Sequence, residues 1–386
     1  MQDRGIEAGE TEIKYILTVP AIWNDRSKQF MRVPAVQAGI KDDYLELALE
    51  PEAASVYCQR VPLENLKLGT GKVISVPGTR YLVADIGGGT ADFSVHEVDE
   101  DGSLTELYRA SGGAYGGIYV DENYLKIYDI IYGAGTIEQL RIDDMEEYLN
   151  ILKEFENKKR SISSDSETSL ITRLPAIIKH IKYIAETIKN IENILIVGGY
   201  GECTLLQERF KKEFPKLNIV IPNECSVAVI KGAVLFGHNP RAISARILRY
   251  SYGAAADNLF DPEIHPEENG YFDIDGIERC RNAFDQLIAR DTKVPSNGQI
   301  VTDIGFPLTY DQRSYELRLY CTEKINAPVI DDSFQYVGRL EVSVPEYIEG
   351  DWEAEEQYIF GMTEIKVSAT VKETGETVKT TFDLLE

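Results

Sequence analysis

Asp85-Ile86-Gly87-Gly88-Gly89-Thr90-Ala91-Asp92 is the stretch on which the reading of this chain turns. Upstream, Tyr81 to Ile86 is an apolar run that predicts a strand; downstream, Phe93, Val95 and Val98 predict the return arm of a hairpin. Glycines directly after a strand let the backbone pass close to a phosphate and aim N–H groups at it. An Asp at the strand end can hold a hydrated Mg2+ that bridges phosphate oxygens, and a Thr hydroxyl adds a further donor. The same residues also suit a tight turn that needs flexible positions, and a glycine motif alone has many false positives. The flanking acids, Asp85 and Asp92, favour phosphate.

Working outward, Ile194 to Val197 predicts a second buried strand, ending in Gly198-Gly199 and followed by a helix carrying Leu205, Leu206 and Phe210. Gly116-Gly117 offers another backbone approach. Strand-to-glycine turns far apart in one chain fit a nucleotide held between two lobes. Glu156, Lys159 and Arg160 are three and four residues apart, hence on one helical face. Such a face is either an exposed ion pair or a clasp for adenosine, carboxylate to ribose and guanidinium on the base. Tyr15–Val19 and Tyr44–Leu49 predict strands, and Asn24-Asp25 predicts a helix cap, with Pro34 expected to kink or shorten that helix. Val120 to Ile131 reads as helical, Asp143 to Arg160 as one amphipathic helix, Ser161 to Ser169 as a loop, and Leu174 to Asn190 as a further helix. Strands alternating with helices imply α/β units around a mostly parallel sheet.

The pattern changes after Asn239-Pro240. Tyr315, Leu317, Leu319 and Cys321 alternate with polar residues, as do Leu340, Val342 and Val344. Ile365, Val367, Ala369 and Val371 face Val378, Thr380, Phe382 and Leu384 across Glu373-Thr374-Gly375-Glu376, which reads as a hairpin in an antiparallel β domain. Two domains suit 386 residues: 1–240, α/β, and 241–386, β-rich. A net charge of −24 argues against nucleic acid and against anionic membranes as partners. Cys58, Cys203, Cys225, Cys280 and Cys321 are scattered and form no CxxC pair, so the expectation is reduced thiols in the cytoplasm, with no zinc site. The polar start, Met1 to Glu12, does not read as a signal peptide.

The ordered series of motifs resembles the 70-kilodalton heat-shock protein family, and within it the divergent heat shock 70 kDa protein 12 type. Leu17-Thr18-Val19-Pro20-Ala21-Ile22-Trp23-Asn24-Asp25 is similar to the family's connecting segment, with Pro20 at its switch proline. Leu49 to Ser55 resembles the next motif, which assigns Glu50 a place near the metal. Ala84 to Phe93 resembles the second phosphate loop: Asp85 for metal and water, Gly87, Gly88, Gly89 and Thr90 for phosphates, Asp92 for the attacking water. Gly116-Gly117 resembles the diglycine near phosphates and ribose. Phe155 to Ser163 resembles the helix that grips adenosine, through Glu156, Lys159, Arg160 and Ser163; Ile194 to Gly199 resembles the adenosine loop. The resemblance implies an actin-like ATPase (ribonuclease H-like) fold followed by a β-sandwich-like domain. It also implies ATP or ADP with Mg2+ as cofactors, metal held by Asp85 and, through water, Glu50, and a protein or peptide client on the β domain.

Departures from the family shape the functional expectation. The chain begins after the family's first phosphate loop and its lysine, so the first lobe is expected to be incomplete. The segment between Ser161 and Leu174 is short, and Tyr200-Gly201-Glu202 stands where the family has small polar residues and an arginine. Ala245-Arg246-Ile247-Leu248-Arg249-Tyr250 takes the place of the interdomain linker, and no helical lid follows. The expectation is a chaperone-like, stress-response protein that binds ATP or ADP weakly, hydrolysing ATP only if the missing lobe is supplied. The rival is a non-enzymatic partner-binding scaffold with a degenerate ATPase domain; an actin-fold sugar or acetate kinase fits the glycine loops but not the β segment.

Overall fold

The computed structural model describes residues 13–67, 74–161, 174–307, 309, 311–348 and 351–380. In chain order the elements are β1 (Tyr15–Val19), α1 (Asp25–Gln37), β2 (Leu45–Leu49), α2 (Glu50–Cys58), β3 (Leu66–Lys67), β4 (Arg80–Ile86), β5 (Ala91–Val98) and β6 (Leu104–Gly113). Then come α3 (Ile118–Tyr132), α4 (Thr136–Asp143), α5 (Met145–Ser161), α6 (Leu174–Thr187), β7 (Asn193–Val197), α7 (Thr204–Glu213), β8 (Asn218–Pro222) and α8 (Ala228–His238). The remainder is strand: β9 (Ile243–Ile247), β10 (Ser251–Leu259), β11 (Gly270–Phe272), β12 (Glu278–Ile288), β13 (Lys293–Pro295), β14 (Gln299–Gly305), β15 (Ser314–Thr322), β16 (Gln335–Ser343), β17 (Ala354–Phe360), β18 (Lys366–Val371) and β19 (Thr377–Thr380). The protein is thus a mixed α/β chain with several sheets. No described helix is long and apolar enough to cross a membrane.

The chain separates into two compact units. The α/β unit comprises Ile16–Ile22 and Ala48–Ala242; the β unit comprises Met1–Tyr15, Trp23–Leu47 and Ile243–Glu386. In the α/β unit the strands run β6-β5-β4-β7-β8-β3. The sheet is mixed, which corrects the expectation of a mostly parallel one. The tight turn after Ile86 makes β4 and β5 antiparallel, and β6 follows antiparallel from β5. Parallel pairing arises only where helices intervene, at β4–β7 and β7–β8, because a parallel neighbour needs a crossover. The core gathers Leu82, Ala84 and Ile86 of β4 with Phe93 and Val95 of β5, Ile194 and Ile196 of β7, and Ile177, Ile181 and Ile184 of α6. Leu82, Ala84 and Ile86 share one face of β4, and Tyr81, Val83 and Asp85 on its other face are buried as well.

In the β unit two sheets, β11-β12-β10-β15-β16 and β14-β17-β18-β19, supply one core. Leu317, Leu319 and Cys321 of β15 and Leu340 and Val342 of β16 meet Tyr358, Phe360, Val367, Ala369 and Val371 around Trp352. The hairpin read at 373–376 joins β18 to β19, with Val367 opposite Thr380 and Ala369 opposite Val378; Phe382 and Leu384 lie outside the described residues. The stretch in the linker's place runs through β9, where Arg246 is buried and its guanidinium donates to the Gly361 carbonyl (2.6 Å).

Two helices depart from expectation. Pro34 lies inside α1, in its last turn, and the helix continues to Gln37, because a proline there removes only one of the final backbone bonds. The helix read at Asp143 to Arg160 is α5, one helix that begins two residues later: Asp143 closes α4, and Asp144 (φ −145°, ψ 83°) caps α5, its Oδ1 accepting from Glu147 N–H (3.0 Å). Most of the loop read at Ser161–Ser169 lies outside the described residues.

Candidate functional site

β4 is apolar beyond Arg80 and Tyr81 except for one acid. Leu82, Val83, Ala84 and Ile86 are fully buried, and Asp85 among them is 5% exposed. The turn is closed by Gly87 N–H donating to the Thr90 carbonyl (2.9 Å), which sets Asp92 directly opposite Asp85 across the hairpin. Asp92 is buried too, and its Oδ1 accepts from the Ile22 amide (3.0 Å), just after Pro20-Ala21. Glu50 enters from the first turn of α2. Burial, then the neighbouring Asp92, pushes its carboxyl up to about 7. Burial, then Glu50 and Asp92, raises Asp85 well above the usual carboxylate range. These acids oppose one another's ionisation, and Asp85 Oδ2 is buried with no hydrogen-bond partner.

The other glycine turns come to the same place. Gly116 N–H donates to the Gly89 carbonyl (3.2 Å), Gly117 N–H to Gly87 (3.1 Å) and Ile118 N–H to Gly88 (2.8 Å), so the start of α3 is laid on the first turn. A Cβ on Gly116 would collide with Gly88. From the parallel partner strand β7, Val197 stands beside Asp85 and leads into Gly198. Gly198 has φ +85°, and a Cβ there would sit 2.5 Å from Asp85 Oδ1. Folding alone therefore demands Gly116 and Gly198. It does not demand Gly88, Gly89 or Gly199: none has a left-handed φ, a Cβ on any would meet nothing within 4 Å, and all three are exposed. Glycine at those positions leaves an open cradle beside a bare carboxylate oxygen.

The residues on α5 stand one step away. Lys159 Nζ is 2.6 Å from both Asp121 Oδ1 and Glu156 Oε2. Burial alone would lower the Lys159 ammonium, yet the hydrogen bonds to Asp121 and Glu156 raise it on balance. Of the two alternatives read from the sequence, the ion pair is formed, and through Asp121 it is tied to α3 four residues beyond Gly117. Phe155 stacks on Tyr124 of α3 (centroids 3.8 Å apart), which fixes α5 against that helix. The Arg160 side chain and Ser163 lie outside the described residues.

Sequence reasoning passed over several contributors. Asp121 was legible only as one helical turn past the diglycine; the Ile22 amide on Asp92 left no signal. Cys225 supports the third turn from below, its thiol contacting the carbonyls of Ile196 (3.5 Å) and Gly198 (3.4 Å), and Gln207 Nε2 donates to Gly201 (2.9 Å). Among the described residues no group of three or more His, Cys, Asp or Glu is arranged to hold a metal directly. A hydrated Mg2+ needs only one or two carboxylates, with water and phosphate completing its shell. Asp85, with its unpartnered oxygen, and Glu50 fit that demand.

No protein-family model matches the chain. Among curated proteins it is similar to mouse heat shock 70 kDa protein 12A, 27% identical over 99% of this chain and 72% of that protein. Human heat shock 70 kDa protein 12B is 27% identical over 97% of this chain and 71% of its own length. The chaperone protein HscA homolog of Rickettsia prowazekii (strain Madrid E) is 28% identical over 58% of this chain and 36% of its own.

Proposed function

This chain is a divergent member of the 70-kilodalton heat-shock protein family, and we propose that it is a chaperone-like protein whose α/β unit, built on the actin-like ATPase plan, binds ADP or ATP with Mg2+. The observation that carries the reading is the buried, unpartnered Asp85 Oδ2 beside glycines that the fold itself does not require. Asp85 would hold the hydrated ion, with Glu50 acting through water. When bound, Mg2+ would neutralise charge on the phosphate oxygens. Gly87, Gly88, Gly89 and Thr90 would line the phosphates with backbone, Gly116, Gly117, Gly198 and Gly199 would flank them, and Glu156, Lys159, Arg160 and Ser163 would face the nucleoside. Asp92 is buried and steadied by the Ile22 amide, a position suited to orienting water. Phosphoryl transfer is accelerated chiefly by cations and donors arranged around the transferred group. The charged side chains gathered at the glycine turns are acids, so the reading commits to binding; hydrolysis would need cationic groups from outside this set.

The division into a nucleotide-binding part, 1–240, and a partner-binding part of β-sandwich type, 241–386, is supported at its boundary by the separate cores of the two units, although Trp23–Leu47 groups with the β unit. A protein or peptide client on the second part follows from the family. A cytoplasmic setting is supported by five unpaired cysteines.

The test is calorimetric titration of the folded chain with ADP and Mg2+. Saturable binding that Asp85→Ala weakens by about a hundred-fold or more is expected, given what a lost charged partner costs. A folded chain that takes up no MgADP would overturn the reading and leave the partner-binding scaffold ahead.

A further inference from the structure

The helical layer of α3, α4 and α5 is packed at one end and bare at the other. Phe155 of α5 stacks on Tyr124 of α3 (centroids 3.8 Å apart) and Lys159 meets Asp121 (2.6 Å), so α3 and α5 run antiparallel. The end of α3 and the start of α5 therefore lie together, on the side away from the glycine turns, with the short α4 joining them. Ile137 N–H donates to Asp129 Oδ1 (3.1 Å), which holds the start of α4 against α3. Among the described residues, the large apolar side chains that these helices bury, Val120 and Phe155, belong to the packed end, and α4 buries none. At the other end the apolar residues face outward. Ile130 is 81% exposed, Ile131 64%, Ile142 69% and Leu149 54%, and Ile127 and Met145 are about half exposed. Apolar side chains exposed singly are ordinary on a protein surface; a group of this size on one end of three adjoining helices is not.

The charge around this tip is one-sided. From Ile127 to Leu149 the acids are Asp129, Glu138, Asp143, Asp144, Glu146 and Glu147, and the sole base, Arg141, is paired with Glu138 (2.7 Å). In a chain of net charge −24, such a rim opposes an identical tip from a second copy, an anionic lipid surface and nucleic acid. We propose that the tip docks a cationic amphipathic helix of a partner protein, whose apolar stripe covers the isoleucines while lysines or arginines beside the stripe meet the acids. An apolar stripe with basic flanks is what a helix presents along one side, and recognition of a helix by an apolar surface uses that form. Apolar burial would supply most of the affinity, and the acids would speed encounter and select the partner. Docking at this end requires no nucleotide.

The experiment titrates the full chain against a fluorescein-labelled peptide of about five helical turns, Leu along one side and Lys along the other, read by fluorescence anisotropy. A companion peptide has Glu in place of every Lys. Ile130→Ser and Leu149→Ser remove exposed apolar area, Glu146→Lys inverts one charge, and Ile230→Ser on α8, 65% exposed, is the control. Thermal melts confirm that each variant is folded. The expected result is saturable binding of the Lys peptide and none of the Glu peptide. Ile130→Ser and Leu149→Ser should each weaken it about ten-fold and Glu146→Lys about three-fold, with Ile230→Ser unchanged. No binding by the unsubstituted chain, or affinity untouched by the changes at the tip, would overturn the proposal. So would an equal loss in Ile230→Ser, since the contact would then be general, or equal binding of the Glu peptide, since the partner would then not be cationic. A dimer of the chain in sedimentation that Leu149→Ser dissociates would also overturn it, by giving the tip to a second copy.

Discussion

Asp85 in the α/β unit and Glu356 in the β unit are equally buried acids, each 5% exposed, and they have been treated in opposite ways by their surroundings. Each faces other carboxylates: Asp85 has Glu50 and Asp92, and Glu356 on β17 has its cross-strand partner Asp303 together with Asp285. Burial raises both above the usual carboxylate range. Yet both Glu356 oxygens are satisfied, Oε1 by the Tyr315 phenol (2.7 Å) and Oε2 by the Tyr358 phenol (2.6 Å), while Tyr315 is itself stacked on Trp352. Asp85 keeps one oxygen with no partner. A buried acid that is completed from within its own unit is a structural element. One left incomplete beside glycines that packing does not require is the feature on which the nucleotide-binding proposal rests.

That contrast can be broken most directly through stability. Glu356→Ala strands the buried Tyr358 phenol and the half-buried Tyr315 phenol and should cost about 3 kcal/mol, read as a lowered unfolding midpoint. Asp85→Asn removes a mutually repelling charge and strands nothing further, so the ligand-free chain should melt at the same temperature or higher. If both substitutions destabilise alike, the two acids are alike and the contrast fails.

A smaller effect sharpens it. Gly88→Ala places a methyl in open space, so stability should stay within about 0.5 kcal/mol. MgADP affinity should nonetheless fall about ten-fold, because the methyl occupies the cradle. Equal affinity, measured by the same calorimetry, would mean the phosphate lies elsewhere.

Smallest is the effect of pH on the ligand-free chain. The Glu50 carboxyl is raised from its model-compound value of 4.5 to about 7, so its neutral form is favoured in the fold. Its contribution to stability is fully present below pH 4.5 and lost as pH rises through about 7. Glu50→Gln should therefore gain about 1 kcal/mol over the parent at pH 8 and nothing at pH 4. Differential scanning calorimetry at several pH values would reveal it, and a constant difference across that range would show that Glu50 does not titrate there.

Much of the scaffold could be read along the chain because its determinants are local. The glycine turn after Ile86, the alternation in β15 and β16, and the Asn24 cap on α1 each depend on residues a few positions apart. The cap at Asp144, which sets where α5 begins, is equally local: Asp144 and Glu147 have capping-box spacing. Helix–strand alternation predicts parallel neighbours, but the hairpin that the same glycines form makes β4 and β5 antiparallel, and the sheet is mixed.

Asp85, the glycine turns and Glu50 are legible as candidates along the chain, as is the β-rich segment after them, since period, turn chemistry and composition act at short range. The fold settles which candidates meet. Asp92 is steadied by Ile22, 70 residues away, and Lys159 by Asp121, 38 away. It alone separated Gly116 and Gly198, which packing requires, from Gly88, Gly89 and Gly199, which packing leaves free. The physical reason is that burial, electrostatic neighbourhood and available space are properties of a packed volume, and residues distant along a chain become neighbours only when it folds.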